Sequence, residues 1–332
     1  MTETSSSVAS PRRSDRLDAA EFERLVGLVR ENVRSVVEGK DEQIHLALVT
    51  LLAGGHLLVE DVPGVGKTVL AKTLAASMSA TVNRIQFTPD LLPSDVTGVA
   101  VYDQVDRRFE FQPGPVFANV VIGDEINRAS PKTQSALLEC MAEGQVSVDG
   151  ETHRLPEPFT VFATQNPSEM EGTYALPEAQ RDRFMVRMSM GYPSREAEYG
   201  MVASRDGGDP LRRLRPVVSA DDVRRMIESA ATVYMAPAVG QYVVDLARAT
   251  REHPDVRVGV SPRASLHLVG AAKANAAVSG RDYVVPDDVA RLAPPVFAHR
   301  LVLNSRGSRP GGSDGEAVVA QILQRVPAPT AA

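Results

Sequence analysis

The residues best suited to chemistry stand in Asp61-Val62-Pro63-Gly64-Val65-Gly66-Lys67-Thr68. Two glycines followed by a cation and a hydroxyl make a loop that can wrap an anion. Backbone N–H groups of such a loop point inward, and a helix starting at its end adds partial positive charge. In that arrangement Lys67 reaches the β- and γ-phosphates of a nucleotide, and the Thr68 hydroxyl ligates Mg²⁺. Pro63, Gly64, Val65, Gly66 and Val69 complete the expected ATP-binding set. The pattern G-x-x-x-x-G-K-[ST] asks for glycine at its first place, where this chain has Asp61. Asp tolerates unusual turn dihedrals better than most residues. An ordinary turn that happens to contain Gly-Lys-Thr is the alternative for this stretch alone.

A second group lies downstream. Val120-Val121-Ile122-Gly123-Asp124-Glu125 is an apolar run ending in two acids. Asp124 would hold Mg²⁺, directly or through water, and Glu125 would act as general base on the attacking water. Two acids after a strand also occur as a solvated edge. Asn166 follows the apolar run Phe159–Thr164 and is placed to orient that water; an Asn-Pro turn is its plainer reading. Arg181-Asp182-Arg183-Phe184 is either a charged surface turn or a segment that supplies Arg183 to a neighbouring subunit's γ-phosphate. Arg263, in Ser261-Pro262-Arg263, opens a helix with Pro at its start and could reach the phosphate within its own subunit. The six histidines show no metal-ligand spacing, and Cys140 reads as a small core residue.

These residues need a frame. Leu57–Val59 reads as a buried strand leading into the loop, and Val69–Leu74 as the helix after it. Further strands are expected over Val82–Phe87, Phe117–Ile122, Phe159–Thr164 and Met185–Met190. Helices are expected from Leu17, over Ile44–Leu52 and over Thr133–Glu143, the last ended by Gly144. Small hairpins are expected around Val99–Phe111 and Val146–Leu155. Alternating strands and helices imply an α/β unit with a mostly parallel sheet covered on both faces. Ligands of such sheets sit at the carboxyl ends of the strands, where Lys67, Asp124, Glu125 and Asn166 all fall. From about Ser194 the alternation gives way to helices over Ser219–Ala230, Ala238–Arg251, Pro262–Val278 and Pro286–Ala298. The expected organisation is therefore a polar, disordered tail (1–17), an αβα core (18–193) and a small all-α lid (194–332) frayed after Pro327.

A length of 332 residues accommodates two domains. The net charge of −6 argues against a chain that chiefly grips nucleic acid. Sparse, unclustered Phe and Tyr leave no stacking platform for single strands. A single cysteine excludes an intrachain disulfide. No apolar run approaches a membrane span, and no signal-peptide core is present at the start, so the cytoplasm is the expected location.

The ordered set of motifs resembles the MoxR family of AAA+ ATPases, from about Val36 to Pro327. It comprises Val59–Thr68, Thr88–Gly98, Gly123–Ala129, Pro131–Glu139, Ala163–Pro167, Glu171–Tyr174, Leu176–Gln180, Asp182–Phe184 and Ser261–Ala264. Arg181 stands where that family usually has an apolar residue. The resemblance implies an αβα P-loop NTPase core with a helical lid, assembled as a ring, a hexamer, with Mg²⁺ and ATP at the subunit junctions. A head-to-tail ring places one subunit's finger in the next subunit's site. The two hairpins would contact substrate or partner. Members are thought to mature or activate other proteins, often alongside von Willebrand factor A domain proteins. A motor subunit of a magnesium-chelatase-like complex is the main alternative, and a nucleic-acid motor a weaker one.

Overall fold

The computed structural model describes residues 16–62, 64–166, 173–203, 210–304 and 314–330. The expected tail up to residue 15, Pro63, the Pro167 and Glu171-Gly172 parts of the motif set and the last two residues lie outside them.

Helix α1 (Ala19–Arg34) begins where the Asp18 carboxylate accepts the Glu21 N–H at 2.8 Å. Its stripe of Phe22, Leu25, Val26, Val29 and Val33 is buried. Helix α2 (Asp41–Leu52) starts three residues before Ile44, with Asp41 and Glu42 in its first turn, where acids suit the helix dipole. Strand β1 (Leu57–Glu60) leads to the glycine loop and α3 (Lys67–Ser77). Strand β2 (Val82–Gln86) is followed by a short α4 (Pro93–Thr97) and the antiparallel pair β3 (Gly98–Asp103) and β4 (Arg108–Pro113). Then come β5 (Val120–Asp124), α5 (Pro131–Glu143), the hairpin of β6 (Gln145–Val148) and β7 (Glu151–Arg154), β8 (Thr160–Gln165), α6 (Glu178–Arg181) and β9 (Val186–Met188).

Strands β2-β5-β8-β1-β9 form one sheet, and every pairing in it is parallel. The register sets Gln86 beside Asp124 and Val59 beside Thr164, so the carboxyl ends line up along one edge. Period-two alternation splits the apolar side chains between two faces. Leu57, Val59, Val120, Ile122, Phe162 and Val186 join one core with α1, α2 and α3. Leu58, Ile85, Val121, Val161 and Ala163 join the other, under α5 and the hairpins.

The remaining elements are α7 (Arg195–Ala203), α8 (Ala220–Ala231), α9 (Pro237–Glu252), β10 (Val256–Val258), α10 (Pro262–Val278), α11 (Pro286–Phe297), β11 (Val302–Leu303) and α12 (Asp314–Arg325). This part is not purely helical, because β10 and β11 pair as a short antiparallel ladder. Helix α12 lacks a sequence-based counterpart. Helix α10 packs on α1 and α2, so the first core runs without a break from the opening helices into the lid.

Two strands differ from expectation by more than one residue at an end. The third begins at Val120 instead of Phe117 because Asn119 pins its start to Thr81: the Asn119 carboxamide oxygen accepts the Thr81 N–H and hydroxyl at 3.1 and 2.9 Å. Its far end carries Asp124 inside the strand instead of beyond it. Strand β9 stops at Met188, where Ser189 turns toward Asp61.

Candidate functional site

The glycine loop closes onto α3 through left-handed backbone at Gly64 (φ 83°) and Gly66 (φ 90°), a region that side chains disfavour. Nothing lies within 4 Å of where a Cβ would sit on either glycine, so both face open space on that side. Gly66 is the N-cap of α3, whose first two residues are Lys67 and Thr68. The Lys67 ammonium donates to the Asp61 carbonyl at 2.5 Å. Asp61 itself is not among the residues with positive φ. Tolerance of unusual dihedrals therefore does not explain its place in the loop. Its carboxylate accepts hydrogen bonds from the Val62 N–H, the Ser189 hydroxyl and the Gly191 N–H. Burial alone would raise its pKa, but these hydrogen bonds outweigh it and hold the group below the ordinary carboxylate value.

Thr68 and Asp124 are 56 residues apart in sequence, yet the Thr68 hydroxyl donates to Asp124 Oδ1 at 3.1 Å. Asp124 is 5% exposed. It also accepts from Arg84 Nε at 2.6 Å and from the Thr164 hydroxyl at 3.3 Å. Glu125 has left-handed backbone (φ 57°, ψ 50°), which costs a non-glycine residue about 1–2 kcal/mol. Its N–H donates to Thr164 Oγ1 at 2.9 Å, which fixes the turn. Its carboxylate accepts from Gln86 Nε2 at 3.0 Å and Arg128 at 2.9 Å. Asn166 is buried directly after β8, and its carbonyl accepts from Asn127 Nδ2 at 3.5 Å.

The structure thus brings Lys67, Thr68, Asp124, Glu125 and Asn166 to one edge of the sheet. Arg183 and Arg263 group around Asp182 instead. Arg263 lies 3.8 Å from the Asp182 carboxylate, and Arg183 donates to the Ala179 carbonyl at 3.0 Å. Asp182 further accepts from Ser261, the N-cap of α10, and from the buried Arg300. Motif spacing overlooks Arg84 and Gln86, and it assigns no role to Thr164 and Asp182 although both lie inside quoted motifs. For the first two a signal existed: in the alternating β2, Ile85 points into the core, so Arg84 and Gln86 must share the opposite face beside Asp124.

Phe and Tyr are sparse in sequence but not unclustered in space. Phe111 stacks on His153 at 3.9 Å, Phe111 meets Phe117 at 5.5 Å and Tyr102 meets Phe109 at 5.3 Å. Phe109 and Phe111 from the first hairpin and His153 from the second border a cleft of about 580 Å³. Phe109 is 70% exposed.

The donor set fits Mg²⁺ and ATP. A hydroxyl and a carboxylate in contact are hard oxygen ligands of the kind Mg²⁺ takes, beside a glycine loop and a lysine. Among the described residues no cluster of three or more His, Cys, Asp or Glu forms a separate metal site, and no helix is long and apolar enough to cross a membrane.

Comparison with known proteins agrees with this geometry. Residues 56–186 match the family described as "ATPase family associated with various cellular activities (AAA)", and residues 248–322 match the "AAA lid domain". The chain is 48% identical to the uncharacterised protein YeaC of Bacillus subtilis, over 92% of this chain and 95% of that one. It is 44% identical to the chaperone MoxR1 of Mycobacterium tuberculosis, over 94% and 84% of the two chains. The crystal structure of an ATPase candidate from Cytophaga hutchinsonii superposes with a TM-score of 0.85 at 37% identity, covering 94% of this chain and 97% of that one. The nucleotide loop, the acid pair beside it and relatives that match nearly end to end agree: the chain belongs to the MoxR family of AAA+ ATPases.

Proposed function

We propose that this protein hydrolyses ATP at the junctions of a ring, a hexamer in the simplest assembly, and uses the cycle to remodel or activate partner proteins in the cytoplasm. The contact between Thr68 and Asp124 carries the hydrolysis reading, because it joins the phosphate loop to the acid pair. Lys67 and the loop N–H groups hold the phosphates, and Thr68 with Asp124 would hold Mg²⁺. The ion would supply charge neutralisation across the β- and γ-oxygens. Glu125 takes a proton from the attacking water, and Asn166 orients it. Arg263 contacts the γ-phosphate in its own subunit, and Arg183 does so in the next.

Gln86 and Arg128 both donate to Glu125 Oε2, so the carboxylate can keep these bonds and act as base through Oε1. The exposed aromatic hairpins are the surface offered to a client, with von Willebrand factor A domain proteins as the expected partners. The test is Mg²⁺-dependent ATP hydrolysis by the purified chain and its Glu125→Gln variant. Glu125→Gln should bind ATP and turn it over about 10²–10⁴-fold more slowly, as expected for a lost general base. Near-normal turnover by the variant would remove Glu125 from that role. The same variant, locked in the ATP state, is the bait for capturing a partner.

A further inference from the structure

Asp61 occupies the first position of the phosphate loop, where glycine is the usual residue. Its backbone carbonyl accepts Lys67 Nζ at 2.5 Å. Its carboxylate oxygen Oδ2 accepts from the Ser189 hydroxyl and from the Gly191 N–H, both at 2.6 Å. Ser189 and Gly191 lie between β9, the last strand of the sheet, and α7, so they form the connector leading out of the core. The connector is held from its other side too. Lys40 Nζ donates to the carbonyls of Met190 and Tyr192 at 2.6 and 2.8 Å. Gly191 has left-handed backbone (φ 62°), so the segment has a defined shape that these bonds maintain.

We propose that Asp61 couples nucleotide occupancy of the phosphate loop to the connector between core and lid, through the bonds from its carboxylate to Ser189 and Gly191. The proposal rests on the ATP-binding reading above. In this structure the lysine expected to bind phosphate is held by the carbonyl of the same residue whose carboxylate clasps the connector. Phosphates in the loop draw Lys67 away from that carbonyl and reshape the turn at Asp61. The carboxylate is fixed to that turn, so its grip on Ser189 and Gly191 changes with it. A glycine at this position carries no side chain and leaves the connector indifferent to the loop. Asp61 is therefore a positioning residue with no direct contact to the reacting atoms.

The test is hydrogen exchange of the 189–192 amides in the full chain, with and without ATP in Mg²⁺-free buffer. Binding is followed separately with a fluorescent ATP analogue. In the wild type, ATP should alter exchange at Gly191 by about tenfold, the scale of one charge-assisted hydrogen bond made or broken. Asp61→Gly restores the residue that phosphate loops normally carry, so it should still bind the analogue. Its connector should exchange about tenfold faster without nucleotide and show no response to ATP. Asp61→Asn, which keeps one acceptor oxygen, should retain part of the response. Ser189→Ala alters the connector side alone and should weaken the response without touching the loop. An unchanged ATP response in Asp61→Gly and Ser189→Ala would overturn the coupling, as would a wild-type connector indifferent to bound nucleotide. Failure of the wild type to bind the analogue would overturn the ATP-binding reading itself, and the coupling with it.

Discussion

The Arg300 guanidinium donates to the Asp182 carboxylate at 2.9 Å and to the Asp182 carbonyl at 3.2 Å. Arg300 is buried, its side chain 2% exposed, and burial is what lowers its pKa to about 10, against the opposing pull of Asp182. It also reaches the carbonyls of Phe184, Met185 and Val296. One arginine from the lid thus organises the turn that carries Arg183.

Asp182→Ala should leave that guanidinium without its carboxylate and destabilise the fold by about 3–5 kcal/mol, the usual cost of breaking a buried ion pair from one side. Ser261→Ala, which removes the helix cap and one donor to Asp182, should cost less, about 1–2 kcal/mol. Urea unfolding midpoints of the two variants check the ranking. Equal, small shifts would mean that Arg300 finds water when Asp182 is gone.

Lys67→Ala should reduce ATP binding to near background, because the loop loses the cation placed for the β- and γ-phosphates. Equilibrium titration with a fluorescent analogue measures it. Unchanged affinity would show that the phosphates sit elsewhere.

Arg183→Ala should bind ATP almost normally and lose hydrolysis by about 10³-fold or more, the contribution typical of arginine fingers. Mixed with Glu125→Gln it should regain activity that neither variant has alone, because some junctions then pair an intact base with an intact finger. Recovery should rise with protein concentration, since it needs assembly. Mixed rings that form and stay inactive would point to Arg181 or Arg263 instead.

Stability should fall as the solution is acidified. Burial lowers His56 to about 4, and burial followed by the charge of Arg300 lowers His267 to about 3, both from 6.5. The geometry fits neutral rings: His56 Nδ1 accepts the Val161 N–H, and His267 Nδ1 accepts from Arg300. Below pH 6.5 the unfolded chain binds protons that the folded chain refuses, so each histidine favours unfolding as pH drops toward 4. Above 6.5 the effect is absent. Thermal midpoints should therefore hold between pH 8 and 7 and decline between about pH 6.5 and 4. His267→Gln should make that decline shallower.

Much of this was legible in the sequence because local chemistry and sheet position agree. An apolar run ending at a glycine loop, and another ending in Asp124-Glu125, both place their polar residues at the carboxyl edge that a parallel sheet offers to ligands. What stayed hidden depends on register or on long-range pairing. Arg84 meets Asp124 only because β2 and β5 align Gln86 with Asp124. Asp182 gains meaning only when Ser261 and Arg300 arrive from the lid. The aromatic cluster arises from two hairpins far apart in sequence, so counting Phe and Tyr along the chain misses it. Sequence alone offers backbone tolerance for Asp61, whereas its side chain bonds Ser189 and Gly191.

The core shared by α1, α2 and α10 has a bearing on how the chain is made. His45 of α2 meets Asn275 of α10 at 2.6 Å across 230 residues, and Leu17 donates to Ser229 across 212. Synthesis releases the opening helices first and their partners near the end. Until then α1, with its stripe of Phe22, Leu25, Val26, Val29 and Val33, can pack only on α2 and α3 and lacks its contact with α10. Contacts this distant carry a high loop-closure cost and form slowly. The growing chain therefore leaves the ribosome with the α10-facing side of α1 still uncovered, a surface open to aggregation and to general folding factors until α10 is complete.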